Sequence, residues 1–145
     1  MLDKAIRIAA VAFEGKFDKG GQPYILHCLQ VMNDTQTNDV EVKCAAVLHD
    51  LFEDCPQWNS LQLLKEGFSF RVIGIIAQLT NNKNLSYEDY IRAIGTNKDA
   101  ALIKLADLRH NSQLTRLKDV RKKDFDRMQK YALAYRYLEG VYVDV

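Results

Sequence analysis

The chain has 145 residues, 48% of them hydrophobic and 27% charged, enough for one domain with a core of its own and too few for two. Twenty Lys and Arg stand against nineteen Asp and Glu, a formal net charge of +1 without the basic excess of a general nucleic-acid coat or a membrane-surface protein. High apolar content at so small a net charge excludes disorder.

The period along the chain is helical. Leu2, Ala5, Ile6, Ala9, Ala10 and Phe13 recur at three and four, one apolar helix face. Gly15, Gly20, Gly21 and Pro23 break the pattern, so Phe17 to Pro23 is expected to be a loop, with Lys16 and Lys19 in or beside it. Helix returns with Ile25, Leu26, Leu29 and Met32 and is expected to end near Thr35 to Asn38. Asp39 has the chemistry of an N-cap. The run from Val40 through Ala45, Ala46, Val47, Leu48, Leu51 and Phe52 predicts one nearly all-apolar, buried helix that stops near Cys55-Pro56. Ser60 to Glu66 and Phe70 to Leu79 predict two shorter helices, and Ser86-x-x-Asp89 opens another as a capping-box variant. A further helix is predicted from about Lys98 to Leu117, and a last one from about Lys123 to Glu139. The last carries an aromatic stripe, Phe125, Tyr131, Tyr135 and Tyr137, whose spacing predicts core or subunit contact rather than a base-stacking platform. With no strand-like alternation, repeat or linker, the fold class is all-α, a single domain over 1–145 with about seven helices.

Three cysteines, Cys28, Cys44 and Cys55, are odd in number and form no Cys-x-x-Cys, so they suggest neither a disulfide framework nor a thiolate zinc site. No apolar run approaches a membrane span, and the N-terminal residues lack a signal-peptide stretch. A soluble, cytoplasmic protein is expected, without nucleic-acid or membrane partners and with a homo-oligomer left open.

Chemistry concentrates in Ala45-Ala46-Val47-Leu48-His49-Asp50-Leu51-Phe52-Glu53-Asp54. Four ionisable groups end an otherwise apolar helix, a placement that costs several kcal/mol unless something pairs with them. His49 and Glu53 are four apart, as are Asp50 and Asp54, so each pair is expected to share a helical face. Two other apolar frames hold partners: His27 in Pro23-Tyr24-Ile25-Leu26-His27, and Asp107 in Lys104-Leu105-Ala106-Asp107-Leu108-Arg109-His110-Asn111. Two imidazoles and two carboxylates form a mixed nitrogen and oxygen donor set, better suited to Mn²⁺, Fe²⁺ or Zn²⁺ than to Mg²⁺ or Ca²⁺. His110 is expected as a hydrogen-bond partner rather than a fifth ligand.

Pro-Tyr-x-x-His, Ala-Ala-x-Leu-His-Asp-x-x-Glu-Asp and Lys-Leu-Ala-Asp-x-x-His-Asn, in that order, resemble the HD-superfamily hydrolase domain of the RelA/SpoT alarmone family, and its short stand-alone hydrolases in particular. The resemblance covers about residues 5 to 117. It implies an HD-type helical bundle holding one divalent metal, usually Mn²⁺, with Fe²⁺, Zn²⁺ or Co²⁺ as alternatives. The implied ligands are His27, His49, Asp50 and Asp107, and the implied acidic pair that positions and activates the attacking water is Glu53 and Asp54. The implied reaction is hydrolysis of the 3′-pyrophosphate of ppGpp or pppGpp. Asn111 matches a residue contacting the nucleotide, Lys19 a basic position near the base, and Tyr24 a tyrosine that supports the site. Lys104 is open to two readings, pairing with substrate phosphate or with Asp107. Asp18 departs from the family pattern, which has an arginine there; Gln22 and Leu114 depart as well. The same centre acting on another nucleotide (a deoxynucleoside triphosphate, a dinucleotide phosphate or a phage-type nucleotide) is therefore the second reading, and a non-catalytic nucleotide-binding module the third. Synthesis of the alarmone is not expected, because no room remains for a synthetase domain.

Overall fold

The computed structural model describes residues 1–142 and is helical throughout, apart from turns and one isolated bridge pairing Phe17 with Pro23. The α-helices are α1 (Leu2–Ala12), α2 (Tyr24–Asp34), α3 (Val40–Val47), α4 (Leu51–Asp54), α5 (Ser60–Lys65), α6 (Phe70–Leu79), α7 (Tyr87–Ile94), α8 (Lys98–Asn111) and α9 (Lys122–Tyr142). A single 3₁₀ turn, Leu114–Arg116, lies between α8 and α9. Among the described residues no helix is long and apolar enough to cross a membrane.

α3 is the central element and packs against α1, α2, α6 and α8. Its buried residues are Val42, Cys44, Ala45, Ala46 and Val47, with Leu48 and Leu51 buried just beyond it. Alanines at these positions, with Ala5 and Ala9 of α1 and Ala100, Ala101 and Ala106 of α8 also buried, let the helix backbones approach closely. Cys28, Cys44 and Cys55 are buried free thiols that behave as small apolar groups in this core.

The start signals read at Asp39 and Ser86 act as expected, and Ser69 and Asn97 cap their helices in the same way. The Asp39 side chain accepts from the amides of Glu41 and Val42, Ser69 from Val72, Ser86 from Asp89, and Asn97 from Asp99 and Ala100. Arg71 then ties three of these helix starts together, reaching Asp39, Glu41 and Asp99 at 2.9, 3.2 and 2.9 Å. Asn97→Ala leaves two α8 amides uncapped and is expected to lower stability by about 1 kcal/mol, read from the urea midpoint.

Three sequence expectations change. The helix expected to run unbroken from Val40 to Asp54 is split at Leu48, His49 and Asp50. His49 Nδ1 lies 2.7 Å from the Ala46 carbonyl, which also takes the His49 backbone amide, and Leu51 N bonds back only to Leu48 O. A side chain competing for a helix carbonyl tightens the turn and interrupts the i to i−4 ladder. Similarly, α8 ends at Asn111 rather than near Leu117. Its apolar face gives out in the polar run His110 to Gln113, and the Arg116 guanidinium takes the His110 carbonyl at 2.7 Å. The aromatic stripe of α9 is core only in part: Phe125 and Tyr137 are exposed, Tyr131 and Tyr135 are half-buried and pack against the core, and Asp124, Ala134 and Leu138 are the buried positions.

Candidate metal centre

Three places in the fold deliver four side chains to one point. His27 sits one turn into α2, on the face that also buries Cys28 and Val31. His49 and Asp50 occupy the break between α3 and α4, and Asp107 lies on the buried face of α8. One ligand atom from each lies within 4.8 Å of all the others. His49 Nε2 is 3.0 Å from Asp50 Oδ2 and 3.3 Å from Asp107 Oδ1. His27 Nε2 is 2.9 Å from Asp107 Oδ1 and 3.9 Å from Asp50 Oδ2. His27, His49 and Asp107 are buried, and Asp50 is partly open.

The donor set fits a cation. A carbonyl only accepts, so the His49 nitrogen facing Ala46 O carries the hydrogen. A neutral His49 therefore turns a bare Nε2 lone pair toward two carboxylate oxygens. His27 does the same when its Nδ1–H donates to His110 Nδ1, 2.7 Å away. Lone pairs converging on one point repel unless a positive charge sits among them. A proton can supply it: burial opposes charge on His49, but the Asp50 and Asp107 carboxylates outweigh burial and hold the ring well above its ordinary pKa. Burial likewise opposes charge on Asp107, yet Lys104 and the two imidazoles hold it well below the carboxylate range. A divalent ion at that point would meet the same demand with more charge, and His27, His49, Asp50 and Asp107 are the residues that would hold it.

Each candidate ligand is braced from behind, the arrangement expected of metal-binding side chains. The Tyr24 hydroxyl donates to Asp50 Oδ2. Lys104 Nζ donates to Asp107 Oδ2 at 2.9 Å and Asn111 Nδ2 to Asp107 Oδ1 at 3.0 Å. The His110 ring stacks on His27 with centroids 5.0 Å apart; burial and then Arg116 pull its pKa down to about 4, so it stays neutral. Of the two partners open to Lys104, its charge is spent on Asp107, and its ammonium lies 5.4 Å from the Tyr90 ring centroid. Tyr24→Phe is expected to weaken metal affinity by about 10–100-fold while the fold persists, read by titrating metal into the metal-free chain.

Glu53 and Asp54 lie on α4, exposed, one turn beyond the candidate ligands. The Asn81 amide fixes one oxygen of Glu53 at 2.9 Å. Burial, then the charges of Asp50 and Glu53, push the Asp54 carboxyl up to about 6. Lys16 Nζ donates to the Asp54 main-chain oxygen. Two hollows meet at Phe17 and Tyr24. One, about 390 Å³, is lined by Phe13, Lys16, Phe17, Tyr24 and Asp54. The other, about 330 Å³, reaches Lys19, Asn111, Arg116, Arg127 and Tyr131. Lys19 and Asn111 therefore border one cavity next to the centre, whereas Lys104 does not line it. Arg116 and Arg127 also border this cavity and carry no sequence signal of their own. They stand outside the three motif blocks, and no spacing rule connects them to the loop before Pro23.

Comparison with known proteins agrees with this geometry. The family model of the HD domain matches residues 5–139. The guanosine-3′,5′-bis(diphosphate) 3′-pyrophosphohydrolase of Haemophilus influenzae is 34% identical over 117 residues, 72% of this chain and 17% of the relative. The bifunctional (p)ppGpp synthase/hydrolase SpoT of Escherichia coli is 30% identical over 123 residues, 76% of this chain and again 17% of the relative. The chain thus spans about one sixth of the length of these curated relatives. A solved structure of a metazoan ortholog of SpoT, described as hydrolysing ppGpp, superposes with a TM-score of 0.77 at 24% identity, over 97% of this chain and 86% of that one, a likeness of fold. With its three motif blocks gathered at one point and the family match running nearly end to end, the chain belongs to the HD domain family.

Proposed function

We propose that the chain is a metal-dependent nucleotide pyrophosphohydrolase that removes the 3′-pyrophosphate of ppGpp or pppGpp, giving GDP or GTP and pyrophosphate, with Mn²⁺ as its metal. The observation that carries this reading is the convergence of His27, His49, Asp50 and Asp107 within 4.8 Å, with two further carboxylates one turn away. The activities for which the relatives are named support the substrate class of this reading.

A bound divalent ion would polarise the scissile phosphoryl group and acidify water. The chain's own groups supply the rest. Glu53, anchored through one oxygen by the Asn81 amide, orients the attacking water with the other. Asp54, with a carboxyl titrating at about 6, accepts a proton near neutral pH. Lys19 and Asn111 border the cavity that receives the nucleotide, and Lys16 adds positive charge beside Asp54. The three buried thiols suit a reducing cytoplasm, where this reading places the protein.

The test is a nucleotide panel with Mn²⁺ and resolution of the products. GDP and pyrophosphate from ppGpp are expected. Asp18, where the family has an arginine, favours the second reading, the same centre on another nucleotide. Inorganic triphosphate released from a deoxynucleoside triphosphate, with ppGpp untouched, would establish that reading in place of the first.

A further inference from the structure

The loop between α1 and α2 is folded around Asp18. Its Oδ1 accepts from the amides of Gly20 and Gln22, both at 2.9 Å, and its own amide donates to Gln22 O at 2.8 Å. The other carboxylate oxygen leaves the loop and meets Arg116 Nη2 at 2.8 Å, 98 residues along the chain. Arg116 Nη1 donates at the same time to the carbonyl of His110, whose ring lies against His27. The contact is close along its length: a Cβ at Gly20 would stand 2.1 Å from the Arg116 carbonyl oxygen. Both side chains of the pair are largely shielded from solvent, at 24% and 11% exposure.

We propose that Arg116 and Asp18 form a latch that clamps the Lys19 loop onto the end of α8 and so sets the nucleotide affinity of the cavity, Arg116 acting as a positioning residue for substrate recognition. The inference rests on the reading of this cavity as the nucleotide site. One guanidinium joins the two walls of that cavity, the loop carrying Lys19 and the α8 terminus carrying Asn111. With Asp18 ionised and Arg116 held between two acceptors, the wall is built before the nucleotide arrives, so less ordering is left for binding to pay. Lys19, next to Asp18, then lines the cavity together with Arg127.

Arg116→Met removes both contacts of the guanidinium. Asp18→Asn keeps an oxygen for the Gly20 and Gln22 amides and removes only the charge facing Arg116, which separates the latch from the turn. Both are compared with the wild-type chain in Mn²⁺ with ppGpp as substrate, and by amide exchange without nucleotide. In each variant the amides at positions 18 and 21 are expected to exchange at least about tenfold faster. KM is expected to rise about tenfold, with kcat changed less than about threefold and metal content intact. The double variant is expected to be no worse than either single one, because both break one contact. Unchanged exchange would overturn the latch. Faster exchange with unchanged KM, or matched losses of kcat and metal, would overturn its role in recognition. If the wild-type chain does not turn over ppGpp, the function reading fails; the exchange rates still decide the latch, and KM is then read on the nucleotide the panel identifies.

Discussion

Asp107→Asn is expected to bind divalent metal more than about 100-fold more weakly than the wild-type chain and to show no measurable turnover. Asp107 is where the tertiary contacts of the centre converge: its Oδ1 faces His27, His49 and Asn111, and its Oδ2 holds Lys104. An amide of the same shape removes the negative charge and turns an NH₂ toward either the metal position or the Lys104 ammonium. Lys104 is then left in the interior without its counter-charge, which costs about 3–5 kcal/mol. The variant is therefore expected to melt early as well. Metal content after reconstitution, measured well below the melting midpoint, separates the two effects. Stoichiometric metal in a folded Asp107→Asn protein would remove Asp107 from the ligand set.

Glu53→Gln is expected to show the opposite separation: metal bound as in the wild type, and kcat reduced by about 10²–10⁴-fold. Glutamine keeps an oxygen for the Asn81 amide, so the side chain stays where the glutamate was. What it loses is the negative charge that, in the proposed reaction, orients the water. Asp54 cannot take over that place, because it points from the next residue of α4 and its main chain is tied to Lys16. Product formation in a single-turnover experiment reads this directly. Turnover within about tenfold of wild type would reassign the water-positioning role away from Glu53.

The two variants divide the centre into a part that holds charge and a part that moves protons, and the fold separates these parts physically. Holding is done by the buried group, His27, His49 and Asp107, where low polarity strengthens every contact. In the proposed reaction proton transfer falls to Glu53 and Asp54, exposed residues on a one-turn helix where water can enter.

The helical class, most helix starts and the identities of the candidate ligands are legible in the amino-acid sequence alone. Those follow from short-range physics: a three-and-four apolar period, side-chain oxygens at Asp39, Ser69, Ser86 and Asn97 that satisfy local amides, and ionisable residues embedded in apolar frames that need a partner. Tertiary structure decided what depends on groups far apart along the chain. The break at His49 arises because a side chain in the centre takes a helix carbonyl, and the end of α8 is set by Arg116 reaching back to His110. Lys104 turned inward because Asp107 offered it a buried counter-charge. Phe125 and Tyr137 of α9 stayed at the surface because Ala134 and Leu138 lie on the side the bundle covers, with Tyr131 and Tyr135 half-buried against the core. The Asp18–Arg116 pair joins residues 98 apart, and no local pattern carries a contact whose energy exists only once both ends of the chain have folded onto the same helix end.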